Sequence, residues 1–201
     1  TIGLESRASG KTADINYILK EVKEKYPEIG VQYVNCNNFN NSYKIMKYII
    51  QEEKKKPYDD VYKRFINLFK NKKGILVIDE ADLLEDSKLL YNVTRESEFS
   101  KLMLVLLTNK KWFYDRLSDD VKSSLDQEFI FFDNYKATEI SEILEKRSKV
   151  GFHKYDKEKL NMISHYCTLS FNSDTRVGLR SIRNIFADSD FTNKNDADIL
   201  K

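Results

Sequence analysis

Hydrophobic positions alternate between two spacings along the first two thirds of the chain. Apolar residues three or four positions apart, as at Ile15, Leu19 and Val22, predict amphipathic helices. Short apolar runs, above all residues 74–78 and 102–107, predict strands that are buried on both faces. Their alternation predicts a parallel sheet covered on both sides, which is an α/β fold. The predicted strands are 1–4, 31–36, 74–78, 102–107 and 128–132, and the predicted helices are 11–26, 45–50, 58–69 and 87–98.

The pattern changes near residue 134, because only helical spacing is found beyond it. Helices are predicted over residues 138–149, 156–169 and 174–187. We therefore expect two domains, a three-layer αβα domain over residues 1–133 and a small α-helical domain over residues 134–201.

The composition is typical of a folded protein outside membranes. Hydrophobic residues make up 41% and charged residues 33% of the 201 residues. No apolar run is as long as a membrane span and no signal peptide is visible, so we expect a cytoplasmic protein without a membrane partner. Cys36 and Cys167 lack metal-like spacing and are expected to be free thiols. A net charge of +2 does not by itself indicate nucleic acid as a partner.

A candidate phosphate-binding loop precedes the first long helix. Gly10, Lys11 and Thr12 end the stretch GLESRASGKT, and Gly-Lys-Thr is also the end of the P-loop pattern. Backbone N–H groups and the dipole at a helix start attract anions. Lys11 would neutralise phosphate charge, Thr12 would ligate Mg²⁺, and the loop residues Ala8 and Ser9 would complete the nucleotide site. Because Gly-Lys-Thr also occurs by chance, the assignment depends on the other residues at this edge of the sheet.

An acidic pair directly follows the buried run at residues 74–78. Asp79 and Glu80 would lie at the carboxyl edge of the sheet, where ligands of parallel sheets bind. Asp79 could hold Mg²⁺ through water, and Glu80 could orient or deprotonate an attacking water. The alternative for Asp79 is a cap on the next helix. That alternative is weaker with Gly-Lys-Thr upstream in the same sheet.

Two further polar residues are candidates for contact with the terminal phosphate. Asn109 follows the strand at 102–107 and could position the attacking water or touch the γ-phosphate, whereas taken alone it would be a turn residue. Arg176 begins the last predicted helix and could reach the γ-phosphate from the helical domain. The alternative for Arg176 is a solvated surface arginine.

The order and spacing of these motifs resemble those of AAA+ ATPases: Walker A, Walker B, a sensor-1 asparagine and a sensor-2 arginine. The likeness is closer still to the archaeal Orc1/Cdc6 replication-initiator group. It rests on YVNC at 33–36, LLYNVTR at 89–95, DVKSSL at 120–125 and SDTR at 173–176. The resemblance implies a five-stranded αβα ATPase domain and a helical lid, with ATP or ADP and Mg²⁺ bound between them. It also implies origin-type double-stranded DNA as a partner, and the replicative helicase or other initiator subunits in helicase loading.

The resemblance also draws attention to residues 41–71, between the second and third strands. Initiators of this family have an extra helical element there, and the two predicted helices fit it. Lysines of this region that could contact DNA phosphates are Lys44, Lys47, Lys54, Lys55 and Lys56. The alternative is a solvated helix face that is balanced by Glu52 and Glu53.

Several features depart from the family pattern. Glu5 and Ala8 stand where the family has glycines, and Glu5 puts a carboxylate where the loop must turn tightly. Asp120 replaces the arginine that a subunit of such a protein offers to its neighbour's ATP. The N-terminal segment that helps to hold adenine and the C-terminal winged-helix domain are expected to be missing. We therefore expect weak ATP hydrolysis or, as the alternative, a hydrolysis-deficient scaffold for DNA or protein partners, plasmid- or virus-encoded. Another AAA+ clade, such as a transposition regulator or clamp-loader subunit, is disfavoured by residues 121–125.

Overall fold

The computed structural model describes residues 2–4, 10–70, 72–99, 101–110, 112–125, 128–152 and 155–187, with only the backbone at 2–4, 97 and 186–187. These residues divide into two compact units, one formed by 2–4 and 10–132 and the other by 133–187. None of the helices in the described ranges combines the length and the apolar character needed to cross a membrane.

Within its described residues, the first unit contains a parallel sheet of five strands, and the predicted fold class is confirmed. The order across the sheet is β2-β3-β4-β1-β5. β1 lies between two later strands, because Ile2 pairs with Leu106 on one side and Phe129 on the other. The strands are β1 (Ile2–Leu4), β2 (Gly30–Asn35), β3 (Gly74–Asp79), β4 (Leu102–Thr108) and β5 (Phe129–Phe131).

Helices cover both faces of this sheet. Val77 of β3 packs in one apolar cluster with Leu19 of the first helix. Its neighbours Leu76 and Ile78 point the other way, into a larger cluster that includes Phe65. Successive strand residues thus alternate between two cores, which explains why β3 is an uninterrupted apolar run. The helices of this unit are α1 (Lys11–Lys25), α2 (Ser42–Ile49), α3 (Tyr58–Phe69), α4 (Lys88–Arg95), α5 (Phe113–Arg116) and α6 (Asp119–Ser124).

The helix predicted over residues 87–98 is shorter in the structure. α4 ends at Arg95, Glu96 is extended, and a 3-10 turn follows at Ser97–Phe99. Phe99 is buried, and its ring centre lies 5.6 Å from that of Phe65. The burial of this ring therefore outweighs the local helical pattern.

The second unit contains three described helices, α7 (Ala137–Gly151), α8 (Lys157–Ser170) and α9 (Thr175–Ala187). Asp156 caps α8, since its carboxylate accepts from the backbone N–H of Glu158 at 2.9 Å. The buried residues of this unit are Ile140, Leu144, Leu160, Ile163, Cys167, Ile182 and Ile185.

The predicted free thiols are confirmed. Cys36 belongs to the core of the first unit and Cys167 to that of the second. Burial raises the pKa of the Cys36 thiol to about 12, so this group is a small apolar side chain at neutral pH rather than a nucleophile.

Candidate functional site

Gly10 stands at the start of α1 in a left-handed conformation, with φ 85° and ψ −3°. A residue with a Cβ would be strained there, so the backbone itself favours the glycine of Gly-Lys-Thr. Among the described residues no side chain caps this helix start. The first-turn N–H groups therefore have the geometry that a phosphate site uses. Ala8 and Ser9, the other predicted loop residues, and Glu5 lie outside the described residues.

The start of α1 and the end of β3 meet through one hydrogen bond. Thr12 Oγ1 donates to Asp79 Oδ2 over 2.8 Å, and Asp79 is only 4% exposed. Lys11, the residue before Thr12, is 7% exposed. A hydroxyl and a carboxylate held together offer the hard oxygen ligands that Mg²⁺ prefers. The donor set therefore fits the predicted magnesium site at these two residues.

Asp79 has two further hydrogen-bond donors. The hydroxyl of Tyr33, on β2, donates to Asp79 Oδ2 over 2.6 Å, and the backbone N–H of Glu80 donates to Oδ1 over 2.9 Å. Burial, followed by the hydrogen bond to the Asp79 carboxylate, raises the pKa of Tyr33, so its hydroxyl keeps its proton. Sequence reasoning missed Tyr33, because tyrosine is common in strands and its partner depends on the β2–β3 pairing.

Glu80, directly after β3, has a left-handed backbone conformation and a hydrogen-bonded side chain. Its φ of 54° and ψ of 44° are left-handed, a conformation that costs a non-glycine residue free energy. The side-chain amide of Asn37 donates to its carboxylate. Sequence reasoning missed Asn37 as well, although a polar run after the second strand, at the same edge of the sheet, is the signal for it.

The contact between Asn37 and Glu80 begins a longer seam. Residues 37–42, which connect β2 to α2, pair with residues 80–89, which follow β3, and we call this pairing the clasp. Within it, the backbone N–H of Glu85 donates to the carbonyl of Asn40 over 2.8 Å. Ser42 Oγ donates to Asp86 and accepts from the N–H of Leu89 at 2.8 Å. The clasp thus ties the segment that contains Glu80 to the first turn of α2.

Asn109 lies just past the carboxyl end of β4, as predicted. The neighbouring Thr108 Oγ1 donates to Asp82 Oδ1 over 2.7 Å, and the backbone N–H of Asn109 lies 3.5 Å from the same oxygen. Thr108 therefore provides the close contact to the segment after β3. A role of the Asn109 side chain toward a phosphate stays a prediction.

Arg176 lies in the first turn of α9, in the second unit. Its guanidinium forms a forked contact with Asp174, with Nε 3.1 Å from Oδ1 and Nη2 3.0 Å from Oδ2. The Arg176 side chain is 57% exposed. This ion pair joins the guanidinium to the residues just before α9. Contact with the γ-phosphate stays a prediction.

The lysines predicted to contact DNA differ in their surroundings. Lys56 Nζ lies 2.9 Å from the Glu52 carboxylate, which also accepts from Arg64. The hydrogen bond from Lys56 is the main reason that the pKa of Glu52 is lowered to about 2. Lys54 and Lys55 are exposed at the tip of the turn between α2 and α3. Lys56 therefore fits the alternative of a balanced helix face, and contact of Lys54 and Lys55 with DNA phosphates stays a prediction.

Comparison with known proteins gives named relatives. No protein-family model matches the chain. ORC1-type DNA replication protein 11 of Haloarcula marismortui is 32% identical over 165 residues, which is 72% of this chain and 40% of that protein. The chain therefore spans less than half the length of this relative.

Solved structures agree with these relatives in fold. Aeropyrum pernix ORC1, solved in complex with DNA, matches with a TM-score of 0.79 at 22% identity, over 98% of this chain and 55% of its own. Aeropyrum pernix ORC2, solved as ADPNP-ADP complexes, matches with a TM-score of 0.75 at 17% identity, over 100% of this chain and 60% of its own. With the ORC1-type sequence relatives, the sheet order and the motifs at the strand ends, the chain belongs to the archaeal Orc1/Cdc6 group of AAA+ proteins.

Proposed function

We propose that this chain binds ATP or ADP with Mg²⁺ and takes part in the initiation of DNA replication. The observation that carries the proposal is the 2.8 Å hydrogen bond from Thr12 to Asp79, which joins the end of the phosphate loop to the end of β3. A relative named as an ORC1-type DNA replication protein supports it, and so does a similar fold solved as ADPNP-ADP complexes.

The nucleotide site is proposed to use the residues at the start of α1. The backbone of Ala8, Ser9 and Gly10 and the side chain of Lys11 would hold the phosphates. Thr12 and Asp79 would hold Mg²⁺. When bound, Mg²⁺ would neutralise charge on the β- and γ-phosphates.

Hydrolysis is proposed to depend on Glu80 and to be slow. Its carboxylate would orient or deprotonate the attacking water. The hydrogen bond from Asn37 supports slow turnover, because it ties one oxygen of the carboxylate that must reach the water to the segment after β2. Asn109 and Arg176 would contact the γ-phosphate, the second from a lid domain over residues 134–201. Asp120, in place of an arginine, would leave this chain without a cation to offer to a neighbouring subunit's ATP at this position.

Origin-type double-stranded DNA is the proposed partner, and the α2–α3 turn is the proposed contact. Lys54 and Lys55 are exposed there, and exposed lysines contact phosphates without reading sequence. The similar fold of Aeropyrum pernix ORC1, whose structure was solved in complex with DNA, supports this class of partner. The replicative helicase or other initiator subunits would be the protein partners. A scaffold without hydrolysis is not favoured, since the relatives found by sequence, that of Haloarcula marismortui among them, are named ORC1-type DNA replication proteins.

The decisive experiment separates nucleotide binding from turnover. ATP binding is measured by calorimetry, and phosphate release is measured with and without duplex DNA. The variant Glu80→Gln should bind MgATP as the parent does but release no phosphate. Glu24→Gln, an exposed carboxylate on α1, is the control and should behave as the parent. Unchanged turnover in Glu80→Gln removes Glu80 from its role, and a parent that binds no nucleotide refutes the proposed function.

A separate experiment tests the DNA contact. Replacing Lys54 and Lys55 together by alanine should weaken duplex binding on all sequences alike. It should also reduce the slope of log K against log salt by about 2, one for each lost phosphate contact. The matched control replaces Lys20 and Lys23, two exposed lysines of α1. Equal losses in the two double variants would mean that binding responds only to total charge.

A further inference from the structure

Tyr33 is held in place by its backbone, by its ring and by its hydroxyl. Its backbone pairs with Val77 on β3, two residues before Asp79. Its ring packs against the smaller apolar cluster, under α1, which contains Leu19 and Val77. A packed aromatic ring has little freedom, so the hydroxyl at its tip is a fixed point. That fixed point lies 2.6 Å from Asp79 Oδ2.

The hydrogen bonds to Asp79 use most of the acceptor positions of its carboxylate. Two hydroxyls, from Thr12 and Tyr33, share Oδ2, and the backbone N–H of Glu80 occupies one position on Oδ1. An ionised carboxylate accepts about four hydrogen bonds. Three donors from three different parts of the chain therefore fix the plane of the carboxylate and leave about one acceptor position.

We propose that Tyr33 is a positioning residue for the magnesium–nucleotide site and acts through Asp79. Tyr33 would hold the carboxylate in place when Thr12 turns its oxygen lone pairs toward the cation. Without Tyr33, and with the Thr12 oxygen turned to the cation, the Asp79 carboxylate would keep only the Glu80 N–H of these three donors, and its plane would be less fixed. Hydrogen-bond donors behind a metal ligand commonly have this effect on affinity. The inference depends on the proposed function, since it concerns the same cation.

The competing explanation is that Tyr33 only stabilises the fold. A lost structural hydrogen bond would lower the stability of the unit and weaken nucleotide binding equally with and without Mg²⁺. A positioning role predicts that only the Mg²⁺-dependent part of binding changes. Tyr33→Phe keeps the ring and its packing and removes only the hydroxyl, so it separates the two explanations.

The chain contains a matched control for this substitution. Tyr62, on α3, is also half-buried, and its hydroxyl also donates to a carboxylate, that of Glu96. Tyr62→Phe therefore removes the same group from the same kind of contact. Glu96 is not one of the predicted site residues.

The experiment measures ADP binding by calorimetry during a Mg²⁺ titration and again in EDTA. Tyr33→Phe should raise the Mg²⁺ concentration for half-maximal enhancement of binding about 10-fold, and should leave binding in EDTA unchanged. Tyr62→Phe should change neither quantity. Equal Mg²⁺ dependence in Tyr33→Phe and the parent overturns the inference. A parent that binds ADP without any response to Mg²⁺, or not at all, refutes the proposed function as well.

A second measurement tests whether Tyr33 acts through Asp79. In an Asp79→Asn background, Tyr33→Phe should cause no further change in the Mg²⁺ titration. The same 10-fold loss in both backgrounds would show that Tyr33 acts by another route. Urea unfolding of each variant accompanies the titrations. If Tyr33→Phe unfolds at assay temperature, Tyr33 is structural and the inference fails.

Discussion

Ser42→Ala tests whether the clasp stabilises the first unit. Ser42 is 1% exposed, and its hydroxyl both donates to Asp86 and accepts from the N–H of Leu89. Alanine removes both contacts and leaves the space almost filled. Asp86 keeps the backbone N–H groups of Ser42 and Lys88 as donors, each at 3.1 Å. The main cost is therefore the orphaned N–H of Leu89.

The size of the expected stability loss depends on how well water could replace Ser42 as the partner of the Leu89 N–H. Leu89 is 1% exposed, so water has little access to its backbone. A buried donor without a partner costs about 1–3 kcal/mol. Because Asp86 also loses a hydroxyl donor, we expect a loss of about 2 kcal/mol in the free energy of unfolding for Ser42→Ala.

Urea unfolding followed by tryptophan fluorescence measures this loss. The single tryptophan of the chain, Trp112, lies in the first unit, so its signal reports on that unit. Ser123→Ala is the control, because Ser123 is exposed and donates only to the carbonyl of Asp120 in its own helix. The control should change stability by less than about 0.5 kcal/mol. Equal midpoints for Ser42→Ala and Ser123→Ala would refute the reasoning, since Leu89 would then have another acceptor.

Three further changes have expected outcomes. Lys157, followed by Lys149, lowers the pKa of Glu145 to about 2. The ionised Glu145 side chain therefore stabilises the protein above pH 4.5, and this stabilisation is lost as the pH falls toward 2. In thermal melts, the difference in melting temperature between the parent and Glu145→Gln should close over that pH range. A Cβ at Gly178 would lie 3.1 Å from Leu144 Cδ2. Gly178→Val should therefore lower the free energy of unfolding of the second unit by about 1–3 kcal/mol, measured by circular dichroism. A loss below about 0.5 kcal/mol would contradict this. Glu80→Gly should be more stable than Glu80→Ala by about 1 kcal/mol in urea, because glycine accepts the left-handed backbone; the reverse order would show that the strain is absent.

Sequence patterns predicted the elements whose signal is local and failed where distant packing decides. β3 was predictable, because a strand buried on both faces must be apolar at every position. The end of α4 was not, because Phe99 leaves the helical path to pack against Phe65 and Phe69. Single-sequence patterns contain no information about which distant ring is available.

The candidate site divides in the same way. Thr12 and Asp79 were predictable as a pair, since a parallel sheet brings the carboxyl ends of its strands together. Tyr33 and Asn37 were not, because their roles depend on which side chains of β2 and of the segment after it reach the end of β3. A hydroxyl or an amide near a strand end has no partner that the sequence alone identifies.

The central place of β1 has a consequence for how the first unit folds. Ile2 pairs with Leu106 and Phe129, although β1 precedes β4 and β5 by about 100 residues in the sequence. β2, β3 and β4 can associate in the order of synthesis, but β1 must wait until β4 and β5 exist. Such long-range pairing makes folding slow, since loop closure precedes the contacts that reward it. The proposed phosphate-binding residues follow β1 in the sequence, so the strand before them enters the sheet only after two later strands are available to pair with it.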